Sequence, residues 1–138
     1  MTTFDRRKSL EQLEGRVWQH DDYSSHLVQE CQRLRRVPLR ELTAGHLRML
    51  IGQKIGLQFL VPVAIEALSE NPLLEASYYR GDLLGAVSQV PEEFWAANAE
   101  MNNDFVEVAA EVLQVFSWLS EEAVPTLRAF QYRESNAQ

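Results

Sequence analysis

Few residues in this chain have the chemistry to hold a metal or attack a substrate, and their spacing decides what they can do. His20, Asp21 and Asp22 stand together, with His26 close behind. Imidazoles and carboxylates can ligate a divalent ion, but this segment lacks the His-x-x-x-His or Cys-x-x-Cys spacing of a zinc site. The better reading is a solvated loop. His46 falls near a predicted helix start, with no evident partner. Cys31, the only cysteine, lies on the apolar face of a predicted helix, where a thiol acts as a small inert hydrophobe rather than a nucleophile. No serine, cysteine or histidine sits in a local catalytic signature, and no glycine-rich phosphate loop follows a strand. These residues make no case for an enzyme, a metal or a cofactor.

The carboxylates are organised differently. Glu100, Asp104, Glu107 and Glu111 follow at spacings of 4, 3 and 4, which puts them on one side of a helix. Like charges so placed weaken a helix by a few tenths of about 1 kcal/mol per pair, and no Lys or Arg is interleaved to relieve them. Two readings compete here: a solvated face helped by the helix dipole, or a surface kept acidic to meet a basic partner. The charge of the whole chain leans the same way. Ten of the thirteen basic residues lie between Arg6 and Lys54, whereas Gly81 to Leu127 holds nine carboxylates and no Lys or Arg. The net charge of −7 argues against nonspecific nucleic-acid binding, which requires a basic surface.

These side chains need a scaffold, and the sequence predicts helices for it. At 138 residues the chain fits one domain, residues 1–138. A chain of this length buries roughly 68% of its unfolded surface, so no disulfide or metal is needed for stability. The N-terminus has no apolar run resembling a signal peptide, and Gln53, Lys54 and Gln58 break the best candidate for a membrane span. A cytoplasmic protein with no membrane contact is expected.

Ser9 and Gln12 form a capping box before a short helix closed by Gly15. Ser24 or Ser25 caps a second helix with Leu27, Val28, Cys31 and Leu34 inward. It ends before Pro38. Thr43 caps a third, with Leu47, Leu50 and Ile51 facing the core. The segment LRMLIGQKIGLQFLVPVAIEAL, residues 47–68, is the most apolar of the chain, yet Gly52, Gly56 and Pro62 interrupt it. One continuous helix would carry about 5 kcal/mol of helix-breaking cost. Two helices meeting at a corner over Gln53–Gly56 would not. The glycines then serve positive φ or close approach, and Pro62 falls in the first two turns of the second helix. Gly81 makes a turn and Asp82 caps the next helix. Pro91 starts another. Met101–Leu119 is the most regular helix, with Phe105, Ala109, Val112, Phe116 and Leu119 as its apolar face and the acid row opposite. Ser120 caps a last helix with Pro125 near its start. The expected fold is an all-α, compact single-domain bundle of seven or eight short to medium helices.

The order of these pieces is familiar. Ser9–Gly15 (SLEQLEG), Cys31-x-x-Leu34-Arg35, Pro38-Leu39, Leu42-Thr43 and residues 47–62 (LRMLIGQKIGLQFLVP) come first. Asn71-Pro72-Leu73, Tyr79-x-Gly81-Asp82-Leu83-Leu84 and Phe94-Trp95 follow. Over residues 9–97 the chain resembles the immunity proteins of bacterial contact-dependent growth inhibition systems. The resemblance implies an antidote that performs no chemistry. Its partner would be the C-terminal toxin domain, often a nuclease, of a cognate CdiA-type effector. It implies no nucleic acid, no membrane and no cofactor, and a monomer when free. The matching residues Gly52, Gln53, Gly56, Pro62, Gly81 and Asp82 are of structural type, so they mark the scaffold. Contacts specific to one toxin should lie outside them. The favoured contact residues are Glu100, Asp104, Glu107, Glu111, Glu121 and Glu122, with His20–Tyr23 as the rival. The competing function is a helical adaptor or regulator using Arg33, Arg35, Arg36 and Arg40 on nucleic acid or another protein.

Overall fold

A computed structural model describes residues 3–19 and 25–135. Within them the chain is all-α, with eight α-helical segments and no strand beyond two isolated bridges. Helix α1 (Leu10–Glu14) carries the expected reciprocal cap: Ser9 Oγ accepts from the Gln12 N–H, and Gln12 Oε1 accepts from the Ser9 N–H. Gly15, at φ 66°, closes it. Ser25 caps α2 (His26–Leu34). Cys31 and Leu34 are buried there as expected, but Leu27 and Val28 remain 40% and 42% exposed. This helix packs on α3 (Ala44–Gly52), with Cys31 and Leu34 as its buried stripe.

Thr43 caps α3, and His46 finds the partner that its sequence position did not reveal. Its Nδ1 accepts from the Thr43 N–H at 3.1 Å, while Thr43 Oγ1 accepts from the His46 N–H at 3.2 Å. The apolar run then breaks as the helix-cost argument requires. After α3 the chain turns a corner, and α4 (Leu57–Glu70) begins at Gly56. The two left-handed residues of the corner are Lys54 (φ 60°) and Gly56 (φ 63°). Glycine is needed at position 56 on two grounds: its φ, and a Cβ that would come within 2.6 Å of Leu10 Cδ2. Gly52 differs from expectation. It is the last helical residue of α3, and a Cβ there would meet nothing within 4 Å. Nothing in the structure explains a glycine at that position. Pro62 is the sixth residue of α4, inside its second turn, where it removes one backbone N–H from the helix ladder.

Leu50, Leu60, Val61, Ala64, Leu68, Leu83 and Val87 are fully buried where α3, α4 and α5 (Asp82–Ser88) meet. Burial of each Leu or Val among them contributes about 1.5–3 kcal/mol. Pro91 precedes α6 (Glu92–Ala97), which packs on α7 (Ala99–Trp118). Trp95 joins the two, its indole stacked on Phe105 at 5.5 Å between centroids and its Nε1–H donated to the Val90 carbonyl. Helix α7 also lies along α4.

The end of the chain departs from expectation. Ser120 caps nothing, because the backbone runs on from α7 through a π-helical turn, Leu119–Ala123, into α8 (Val124–Leu127). Pro125 lies just past the wide turn. Such turns accommodate local disruption of the α ladder, which the missing N–H of Pro125 introduces. The predicted apolar stripe of α7 is covered only in part, with Ala109, Val112 and Leu119 half-buried. Met101 and Val108 are its buried residues and Phe105 is half-buried, while Phe116 is 66% exposed. The helix outruns the body that would have covered its second half.

Candidate functional site

Because the buried line of α7 runs through Met101, Phe105 and Val108, the acid row stands one residue, about 100°, to its side rather than opposite it. That offset places the row along the wall of a groove. Between α4 and α7 lies a groove of about 740 Å³ lined by Glu100, Asp104 and Glu107 from α7 and by Glu66 and Glu70 from α4. Pro62 and Ile65 line it too, and the N-terminal strap contributes Thr3, Phe4 and Arg6. Arg6 donates to Glu66 Oε2 at 2.6 Å. This hydrogen bond and the guanidinium charge hold the Glu66 carboxyl below the usual carboxylate range. Phe4 meets the edge of Phe59 at 5.4 Å and fixes the strap. A continuation of the groove is lined by Glu107, Glu111, Ser69 and Gln114. Asp104, Glu107 and Glu111 form no ion pair among the described residues.

Four of the six favoured acids therefore share one continuous surface. Glu121 and Glu122 do not reach it. They lie in the π turn, beyond the groove, with Glu121 accepting from Ser117 Oγ at 3.3 Å. Glu66 and Glu70 were missed by sequence reasoning, because they belong to another helix and no local spacing relates them to the α7 row.

Among the scaffold motif residues, Asp82 holds a loop in place. Asp82 is not the N-cap of α5; Gly81, at φ 87°, holds that place. Instead the Asp82 carboxylate turns back on the preceding loop and accepts from the N–H groups of Ala76 (2.7 Å), Ser77 (2.8 Å) and Tyr78 (2.9 Å). Burial alone would raise its pKa, but these backbone donors outweigh it and hold the pKa at about 2. The Arg48 guanidinium lies 3.9 Å from this carboxylate and 4.6 Å above the Tyr78 ring. Gly45 lets the same loop close onto α3, since a Cβ there would be 2.9 Å from Ser77 Oγ. Gln53 caps the C-terminus of α3 through its backbone N–H.

The arginine cluster is not a free basic patch. Arg35 is 1% exposed, bound to Glu14 at 3.1 Å and to the Arg16 carbonyl, with its guanidinium 4.3 Å over Trp18. Arg33 pairs with Glu30, and Arg36 with Glu11 at 3.4 Å. Only Arg40 of the four is left exposed without such a partner among the described residues. Cys31 is buried, and burial pushes its thiol pKa up. The rival contact segment His20–Tyr23 lies outside the described residues. Among the described residues, no group of three or more His, Cys, Asp or Glu side chains could hold a metal, and no helix is long and apolar enough to cross a membrane.

The described residues form an all-helical scaffold that carries an acidic groove beside a buried core. The chain belongs to the family of CDI immunity proteins, whose family model matches residues 12–105. Its role is accordingly that of an immunity protein, and membership implies a cognate CDI toxin as its partner. No curated protein and no solved structure matches the chain.

Proposed function

We propose that this immunity protein blocks a basic, nuclease-type toxin domain by offering the groove between α4 and α7 to the toxin's phosphate-binding surface. One observation carries the reading: five carboxylates from two helices converge on one groove whose arginine, Arg6, is already paired. A nuclease must hold phosphates with basic side chains. A row of fixed carboxylates presents the same charge, and complementary fields raise association above the roughly 10⁵–10⁶ M⁻¹s⁻¹ of uncharged partners. On this reading the protein works in the cytoplasm, performs no chemistry, acts as a single domain and is a monomer until it meets the toxin domain of its effector.

The test is the variant Glu107→Lys/Glu111→Lys, assayed against the toxin domain of the effector encoded directly upstream. Both side chains are exposed, so the fold should persist. Association should slow at least about tenfold, and its salt dependence should flatten, because at a Debye length of about 8 Å remote acids cannot replace contact charges. Unchanged affinity with an unchanged salt slope would return the acids to the status of a solvated face.

A further inference from the structure

Exposed apolar side chains lie past the groove, where α7 overhangs the body, with Leu113 and Phe116 on one side of the helix and Val115 and Trp118 on the other. No described residue from Ala109 onward is buried, yet Val115 is 49% and Trp118 58% exposed. Single exposed apolar residues are ordinary; a contiguous set is a contact surface. We propose that Trp118, with Val115 beside it, is the apolar anchor of the toxin interface, and that the acid row is its charged flank. This rests on the reading that the groove acids face the toxin.

The register of α7 makes the connection. Glu107, Glu111, Val115, Trp118 and Glu122 follow at spacings of four, four, three and four, one face of a helical rod. The side of α7 that walls the groove therefore continues along the rod as Val115 and Trp118, and ends on the acids of the π turn. Interfaces are built this way, with a desolvated aromatic centre inside a charged rim. The family match ends at residue 105, and Val115 and Trp118 lie beyond it, whereas most of the groove acids lie within it.

Charge selects the occupant. The rod carries Glu107, Glu111, Glu121 and Glu122, with basic side chains only at Arg128 and Arg133 near its end. Two copies laid together along this face would oppose carboxylate to carboxylate, and an anionic membrane surface would repel it. A basic protein surface with an apolar pocket is complementary.

The experiment measures affinity and dissociation rate for the same toxin domain with Trp118→Ala, with the other exposed side of the rod altered as Leu113→Ser/Phe116→Ser, and with Glu107→Lys/Glu111→Lys. Sedimentation and thermal melting accompany each variant. Trp118→Ala should weaken binding by about 30-fold or more, mostly through faster dissociation and without a changed salt slope. Leu113→Ser/Phe116→Ser should bind as wild type does. Full affinity of Trp118→Ala beside a weakened Glu107→Lys/Glu111→Lys would overturn the anchor and leave the groove reading standing. Loss of binding in Leu113→Ser/Phe116→Ser alone would overturn the assigned face, as would a wild-type dimer that Trp118→Ala dissociates. A wild-type protein that fails to bind the toxin would remove the groove reading and the anchor together.

Discussion

Replacing Asp82 by Asn removes one charge and one acceptor from a site where three backbone N–H groups converge. In the wild type, Oδ1 takes the Ala76 N–H, and Oδ2 takes those of Ser77 and Tyr78. An Asn can turn its single oxygen toward one side only, and its NH₂ then faces donors on the other. The pKa of the carboxylate is about 2, against an ordinary value of 3.8. That difference corresponds to about 2–3 kcal/mol of folding stability. An orphaned buried donor adds roughly 1 kcal/mol more. We therefore expect Asp82→Asn to cost about 3 kcal/mol at pH 7 and to lower Tm by about 10 °C for a chain of this size.

The pH dependence follows from the direction of the shift. Because the folded pKa lies below the unfolded one, the contribution is complete above pH 4 and is lost as pH falls from about 4 to about 2. Urea midpoints for both proteins at pH 7, 5, 4, 3 and 2 should show a constant gap down to pH 4 and a narrowing one below. A gap under about 1 kcal/mol at pH 7, or one indifferent to pH across that window, would refute the view that an ionised Asp82 holds the loop before α5.

Other perturbations separate neighbouring roles. Gly56→Ala should destabilise by about 2 kcal/mol or more, since it forces φ 63° on an L-residue and drives a Cβ into Leu10. Gly52→Ala, at a helical position with open space, should be neutral or stabilise by up to about 1 kcal/mol; denaturant midpoints read both. Arg35→Ala removes a fully buried side chain with its bonds to Glu14 and the Arg16 carbonyl and its contact with Trp18, so a loss of about 2 kcal/mol or more is expected in the same assay. Cys31 should resist alkylation in the native protein at pH 8 and react quickly in urea, because burial both hides the thiol and raises its pKa; mass spectrometry of the adduct settles it.

Local physics was legible in the sequence. The caps at Ser9 and Thr43 and the corner before Gly56 depend on residues within one turn of each other, and each stands where steric and hydrogen-bonding rules put it. The acid row of α7 was legible for the same reason, since helical spacing alone sets its alignment. What the row faces was not. Its meeting with Glu66 and Glu70 depends on how α7 lies along α4, and the most deeply buried positions of α7, Met101 and Val108, lie outside the predicted stripe. Asp82 has the residue type of an N-cap, yet it is the first residue of α5 and its carboxylate serves the loop before the helix, where three N–H groups converge on it. The overhang of Val115 and Trp118 was equally hidden. Periodicity records which residues could be buried together, and only the packed body decides how far along a helix there is anything to bury them against.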